Sequence, residues 1–253
     1  FHQLNELAQA LQQVNQEKVS FVSVVTHELR IPMTSILGYT DLLRQGSVGP
    51  LTEMQVNFLN VIRNNVERMS ALVSNLSDLS RIETNRLKLE CKPVRIQDAI
   101  EEALRGLRPK IGEKKQTLEL RLPEDLPHVY ADASRLTQIA TSLLSNACKY
   151  TPVGGGIQVS AQAGEDWVSV HVADHGIGIS EEDGKKLFSQ FFRSEDPRVR
   201  EEQGWGLELC LAKQLVEMMG GEMGFQSALG QGSDFWFLLP TPENRCRSQE
   251  VNP

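Results

Sequence analysis

The sequence predicts a multi-domain fold: an antiparallel helical hairpin that dimerises as a four-helix bundle, then an α/β sandwich in which helices cover one face of a mixed sheet. Three observations predict it. A heptad seam opens the chain, with Leu4, Leu7, Leu11, Val14, Lys18, Phe21 and Val25 spaced alternately three and four apart. A second apolar stripe on the helical period follows a Gly/Pro turn. After Leu87 the pattern changes to short β-like runs alternating with helical ones.

The first helix is expected to run to about Arg44, with Pro32 bending it just past His27. In the heptad register His27 takes an outward position. Glu28 would fall on the seam, so the seam shifts and Leu29 takes over. Residues 45–50 (Gln-Gly-Ser-Val-Gly-Pro) read as a turn, and Thr52 as the cap of a second helix reaching about Asn85. The apolar face of that helix comprises Phe58, Ile62, Val66, Met69, Val73, Leu76 and Leu79. Two long helices per chain, dimerised, make a four-helix bundle.

Beyond Leu87, strands are expected at 117–122, 157–161, 167–173 and 235–239, and helices at 96–107, 134–150 and 207–219. Residues 241–253 are polar and expected to fray.

Composition narrows the function classes. A net charge of -7 argues against a general nucleic-acid binder, which needs a basic footprint. No apolar run approaches membrane-spanning length. Cys91, Cys148, Cys210 and Cys246 form no CxxC pair and read as reduced thiols of a cytoplasmic protein. The chain starts at Phe1 inside a helical pattern, without an initiator Met, and is expected to be a fragment from which an upstream segment has been removed.

Several stretches carry chemistry. His27-Glu28-Leu29-Arg30-Ile31-Pro32 places an imidazole beside a carboxylate on an amphipathic helix. A near-neutral imidazole is a nucleophile toward a phosphoryl group, and a carboxylate can take the ring proton and fix the tautomer. Asn146-Ala147-Cys148-Lys149-Tyr150-Thr151 lies on a helix. Asp174-His175-Gly176-Ile177-Gly178 follows a strand, and Gly204-Trp205-Gly206-Leu207-Glu208 opens a helix whose free N–H groups suit a polyphosphate. Residues 187–193 are aromatic-rich and end at Arg193; the polar stretch 194–203 reads as a lid.

In that order, these boxes resemble the cytoplasmic core of a two-component sensor histidine kinase, over nearly the whole chain from about Leu4 to Pro240. The resemblance implies an incoming coiled-coil signalling helix at 1–20, a dimerisation and histidine-phosphotransfer domain at 21–87, a catalytic ATP-binding domain of the GHKL type at 88–240, and a flexible tail at 241–253. It implies that ATP and Mg²⁺ are the cofactors, that His27 is phosphorylated with Glu28 as its base, and that the phosphoryl group passes to an aspartate on a response regulator receiver domain. Asn146 would hold Mg²⁺. Lys149, Tyr150, Asp174, Gly176, Gly178, Arg193, Gly204, Gly206 and Leu207 would contact ATP, with Asp174 on the adenine amino group and Arg193 facing phosphate.

Three positions depart from the family pattern. Glu208 stands where a third glycine is usual, which places a carboxylate near the triphosphate and predicts weakened ATP binding. Ser142 stands where another asparagine often lies, one turn before Asn146. Ile31 stands where Thr or Asn would position a water, which predicts weak phosphatase activity toward a phosphorylated regulator. Glu208 and Ser142 support an alternative, a degenerate kinase serving as a dimeric scaffold or phosphoacceptor. A GHKL ATPase or serine-directed kinase is a further rival, and the histidine box argues against it.

Overall fold

The computed structural model describes residues 2–47 and 49–243, with side chains from residue 22 onward except that of residue 23. The expected seam from Leu4 to Phe21 therefore lies outside the described side chains, and Cys246 and the tail beyond 243 lie outside the described residues. The chain divides into two compact units, Phe1–Lys88 and Leu89–Pro253.

The first unit is a hairpin of α1 (His2–Arg44) and α2 (Glu53–Glu83). Helix α1 runs unbroken through Pro32. Proline costs roughly 3 kcal/mol inside a helix, but the next residue, Met33, is 4% exposed and packs with Val66, Val73 and Leu37. The turn is specified locally. Gly46 adopts φ +76°, while its N–H bonds to Leu43 O and that of Ser47 to Leu42 O, the paired bonds of a Schellman ending. Thr52 then forms a reciprocal capping box with Gln55: Gln55 N–H donates to Thr52 Oγ1 and Thr52 N–H to Gln55 Oε1.

On α2, Val66, Val73 and Leu79 of the expected apolar face are buried, but Phe58, Ile62 and Met69 are 61%, 43% and 44% exposed. One neighbouring helix covers only part of so wide a stripe.

The second unit packs α3 (Ile96–Glu113), α4 (Ala133–Tyr150) and α7 (Glu208–Met218) with a five-stranded sheet. The sheet comprises β2 (Thr117–Arg121), β4 (Gly156–Ala163), β5 (Trp167–Asp174), β7 (Ser233–Pro240) and β6 (Glu222–Ser227), in the order β2-β4-β5-β7-β6. Only β2 and β4 run parallel, so the sheet is mixed. Alternation fixes its faces: Ile157, Val159, Val168, Val170, Val172 and Phe237 are buried, while Gln158, Ser160, Ser169 and His171 are half-buried. A short antiparallel pair, β1 (Lys92–Val94) with β3 (Val129–Ala131), and two short helices, α5 (Glu181–Gly184) and α6 (Pro197–Glu201), complete the unit.

Helix α3 outruns its expected end at Leu107 by passing through Pro109. Ile100, Leu104, Leu107 and Ile111 keep one face buried across the proline, and that burial outweighs the missing donor. Strands β1, β3 and β6 are not among the expected strands. The first two span three residues each, and β6 carries Gly224 under the Trp236 indole instead of an alternating apolar run.

Candidate functional site

On α1, His27 and Glu28 project into solvent with side chains 71% and 70% exposed, and His27 Nδ1 lies 3.3 Å from Glu28 Oε1. Adjacent helical residues normally diverge, but a carboxylate one methylene further out than aspartate's reaches back to the ring. With Nδ1–H donated to Glu28, the Nε2 lone pair is the one left for chemistry. Thr26 and Met33, buried at 5% and 4%, fix this stretch of helix from its inner face.

The second unit holds an open cleft. Asn146, Lys149, Tyr150, Asp174, Gly178, Arg193, Gly204 and Gly206 all line it. The fold thus brings eight residues from four stretches of the sequence to one cavity.

Helix α4 contributes Asn146, Lys149 and Tyr150 from its last turns. Its start is capped by Asp132, which accepts from the N–H groups of Ser134 and Arg135. Its end is clasped by two side chains unforeseen in the sequence. Lys114 Nζ donates to the carbonyls of Cys148 (3.0 Å) and Lys149 (2.8 Å), and Gln116 Nε2 to those of Cys148 (3.1 Å) and Thr151 (2.7 Å). Lysine at a helix C-terminus is favoured by the dipole, but Lys114 reaches this end from another element, so no local signal reveals it.

Asp174 ends β5 with 8% exposure. Burial pushes its carboxyl up to about 6, against the pull of the Gly176 and Ser233 N–H groups. Gly176 does not line the cleft. Its N–H donates to Asp174 Oδ1 at 2.7 Å, and a Cβ there would stand 2.5 Å from that oxygen and 2.6 Å from Tyr150 O. Gly178 has φ +67°, and a Cβ there would lie 2.0 Å from Ala228 O. Gly176 lets the backbone close on the carboxylate, and Gly178 lets it pass against the main chain of Ala228.

Leu207 departs from expectation: it is 1% exposed, and its side chain belongs to the core. It is the N-cap of α7 and makes no side-chain cap bond, so only backbone groups remain there to meet a ligand. Arg193 is also corrected in part. It lines the cleft, but Nη2 already donates to Val199 O (2.6 Å) and Glu202 O (2.5 Å), which tethers the segment carrying α6. Phe188 is a packing residue, edge-on to Phe225 at 5.9 Å with Lys213 Nζ over its ring at 4.8 Å, whereas Phe192 lines the cleft.

Ser142 does not line the cleft; its hydroxyl is buried and makes no hydrogen bond among the described residues. Glu208 does line it, and its Oε2 lies 3.3 Å from Lys149 Nζ. Trp205 and Leu229, 49% and 60% exposed, add apolar surface at the mouth. A flat, amino-bearing base fits against a buried carboxylate with such walls, and a polyphosphate fits Lys149 and the start of α7.

Comparison with known proteins agrees with this division. Residues 17–85 match the His Kinase A (phospho-acceptor) domain family, and residues 131–243 match the histidine kinase-, DNA gyrase B-, and HSP90-like ATPase family. The circadian input-output histidine kinase CikA of Synechococcus elongatus is 35% identical over 93% of this chain, and the sensor histidine kinase GacS of Pseudomonas protegens 33% identical over 92%. The chain spans only 32% and 26% of those relatives' lengths. Full-length ShkA, crystallised in complex with AMPPNP, superposes with a TM-score of 0.72 and 28% identity, covering 87% of this chain and 45% of ShkA.

Proposed function

Because the chain belongs to the sensor histidine kinases, joining a phospho-acceptor domain to a histidine kinase-like ATPase domain, we propose that it autophosphorylates His27 from ATP and then phosphorylates an aspartate of a response regulator receiver domain. The observation that carries this reading is the state of His27: a solvent-exposed ring with one nitrogen on Glu28 and the other open.

In this mechanism His27 Nε2 attacks the γ-phosphorus, the bond to the bridging oxygen breaks, and ADP leaves. Glu28 takes or shares the Nδ1 proton, offsetting the positive charge that develops on the ring. The phosphoryl group then moves from nitrogen to the regulator's carboxylate and His27 is regenerated. Asp174 accepts from the adenine amino group, Lys149 and the α7 start hold phosphates, and Asn146 offers an amide oxygen to Mg²⁺. Held there, the metal would supply positive charge that neutralises the phosphates. AMPPNP, an ATP analogue, is bound by the structurally similar ShkA, and the glycine cradle and buried carboxylate of this cleft fit the same kind of ligand.

The chain is proposed to act as a homodimer. Phe58, Ile62 and Met69 on α2 and Ile36 on α1 stay exposed in one hairpin, and a second hairpin would cover them. The proposed division is signalling helix 1–20, phosphotransfer domain 21–87, catalytic domain 88–240 and tail 241–253, with an upstream sensor region acting through α1. Among the described residues no helix is long and apolar enough to cross a membrane; the proposed location is the cytoplasm. Ile31, 55% exposed and without a polar group to hold water, supports low phosphatase activity.

The test is labelling with γ-labelled ATP and Mg²⁺, followed by acid and base treatment. Acid-labile, base-stable label that is absent in His27→Gln supports the reading. Base-labile label, or label retained in His27→Gln, rejects it.

A further inference from the structure

The Lys149–Glu208 pair adds something that the kinase assignment alone does not. Lys149 sits at the end of α4 and Glu208 is the first residue of α7; both line the cleft, 3.3 Å apart, with side chains 24% and 38% exposed. Asn146, one turn before Lys149 on α4, lines the same wall and is 9% exposed. A carboxylate thus stands where the triphosphate is to lie. It is tolerable there only while a cation lies between it and the phosphates. The cleft provides one such cation in Lys149, and a nucleotide that claims Lys149 for its phosphates leaves Glu208 uncompensated.

We propose that Glu208 makes nucleotide binding obligatorily dependent on a divalent cation: it holds Lys149 while the cleft lacks nucleotide, and it becomes an oxygen ligand of the metal, beside Asn146, when the metal–nucleotide enters. Glu208 is then a specificity residue that rejects metal-free nucleotide. The proposal rests on the cleft being the ATP site. A carboxylate and an amide oxygen suit Mg²⁺, which takes oxygen donors and keeps several waters. The sign of each effect follows from charge. Without metal, Glu208 repels the phosphates and competes for Lys149; with metal, the same carboxylate attracts the bound cation.

The experiment is calorimetric titration of the whole chain with ATP, once in excess Mg²⁺ and once in EDTA, for the parent, Glu208→Gln and Glu208→Gly. Thermal melts confirm that each variant is folded. The parent is expected to bind ATP at least about a hundredfold more tightly with Mg²⁺ than without it. Glu208→Gln is expected to shrink that ratio at least about tenfold, chiefly by tightening metal-free binding. Glu208→Gly should shrink it similarly. A ratio unchanged in both folded variants overturns the role of Glu208 and leaves the ATP site standing. A folded parent that binds no ATP in Mg²⁺ overturns the ATP site itself and the proposal with it.

Discussion

The hairpin and the α/β unit treat their apolar residues in opposite ways. Among the described residues, twelve large hydrophobic side chains of the hairpin, from Val24 to Met69, are exposed, Tyr39 at 70% and Phe58 at 61% among them. In the larger α/β unit six are, and two of these, Trp205 and Leu229, stand at the cleft. The α/β unit closes a core of its own, with Ile96, Leu104, Leu136, Leu143, Val159 and Phe237 at 0–1% exposure. One unit is finished by its own chain and awaits a small ligand; the other is left with apolar surface that suits a second copy.

That contrast is broken most severely at His27. His27→Gln should abolish phosphoryl incorporation while leaving nucleotide affinity at the parent value, which labelling and titration on one preparation will show. Loss of nucleotide binding in that variant would mean the two functions are not separable.

The next largest effect concerns the exposed stripe. Placing two charges on it in Phe58→Glu/Ile62→Glu should weaken self-association by at least about a hundredfold, since a desolvated unpaired charge costs several kcal/mol. Sedimentation should then report a monomer whose cleft still binds nucleotide. A stable dimer would place the interface elsewhere.

Asp174 sharpens the other side. Asp174→Asn replaces the acceptor of a charge-assisted bond, worth about 1.5–3 kcal/mol, so nucleotide affinity should fall about tenfold to a hundredfold. In the parent, affinity should fall as pH drops through about 6, where the carboxylate takes up its proton. Stability should move the other way. A carboxyl held at about 6 in the folded chain, above its ordinary 3.8, binds its proton more tightly folded than unfolded. Its contribution to stability is therefore greatest below about pH 4 and is lost as pH rises to about 6. At pH 8 the variant should melt above the parent, and pH-dependent melting curves will check this.

The smallest effect is local. Thr52→Ala removes the α2 capping box and should destabilise the hairpin by about 1 kcal/mol, visible as a lowered melting midpoint without change in nucleotide affinity.

Much of this was legible in sequence because short-range rules carry it. The Gly46 ending and Thr52 cap, the alternating β5, and the order of the histidine, asparagine and glycine boxes need no distant contact to be recognised. What was hidden depends on distant partners. Lys114 lies 34 residues from Cys148, whose carbonyl it holds. Leu207 reads as part of a glycine loop, yet core packing claims it. The passage of α3 through Pro109 is decided by Ile111 underneath. Arg193 lines the cleft, but its two carbonyl partners at residues 199 and 202 could not be read from a motif.

Those two carbonyls have a consequence for how the lid can change over time. Arg193 grips main-chain oxygens of Val199 and Glu202, which every residue type supplies equally. Of the side chains in residues 197–202, only that of Glu202 joins the anchorage, through Lys114 at 3.2 Å. The tether therefore constrains the path of the lid and hardly its composition. Val199 is held to its place on the cleft and Arg198 to the Asp196 carboxylate, but the exposed positions 200 and 201 are free to drift, and with them part of the surface this segment presents, without loosening it from the arginine that holds it.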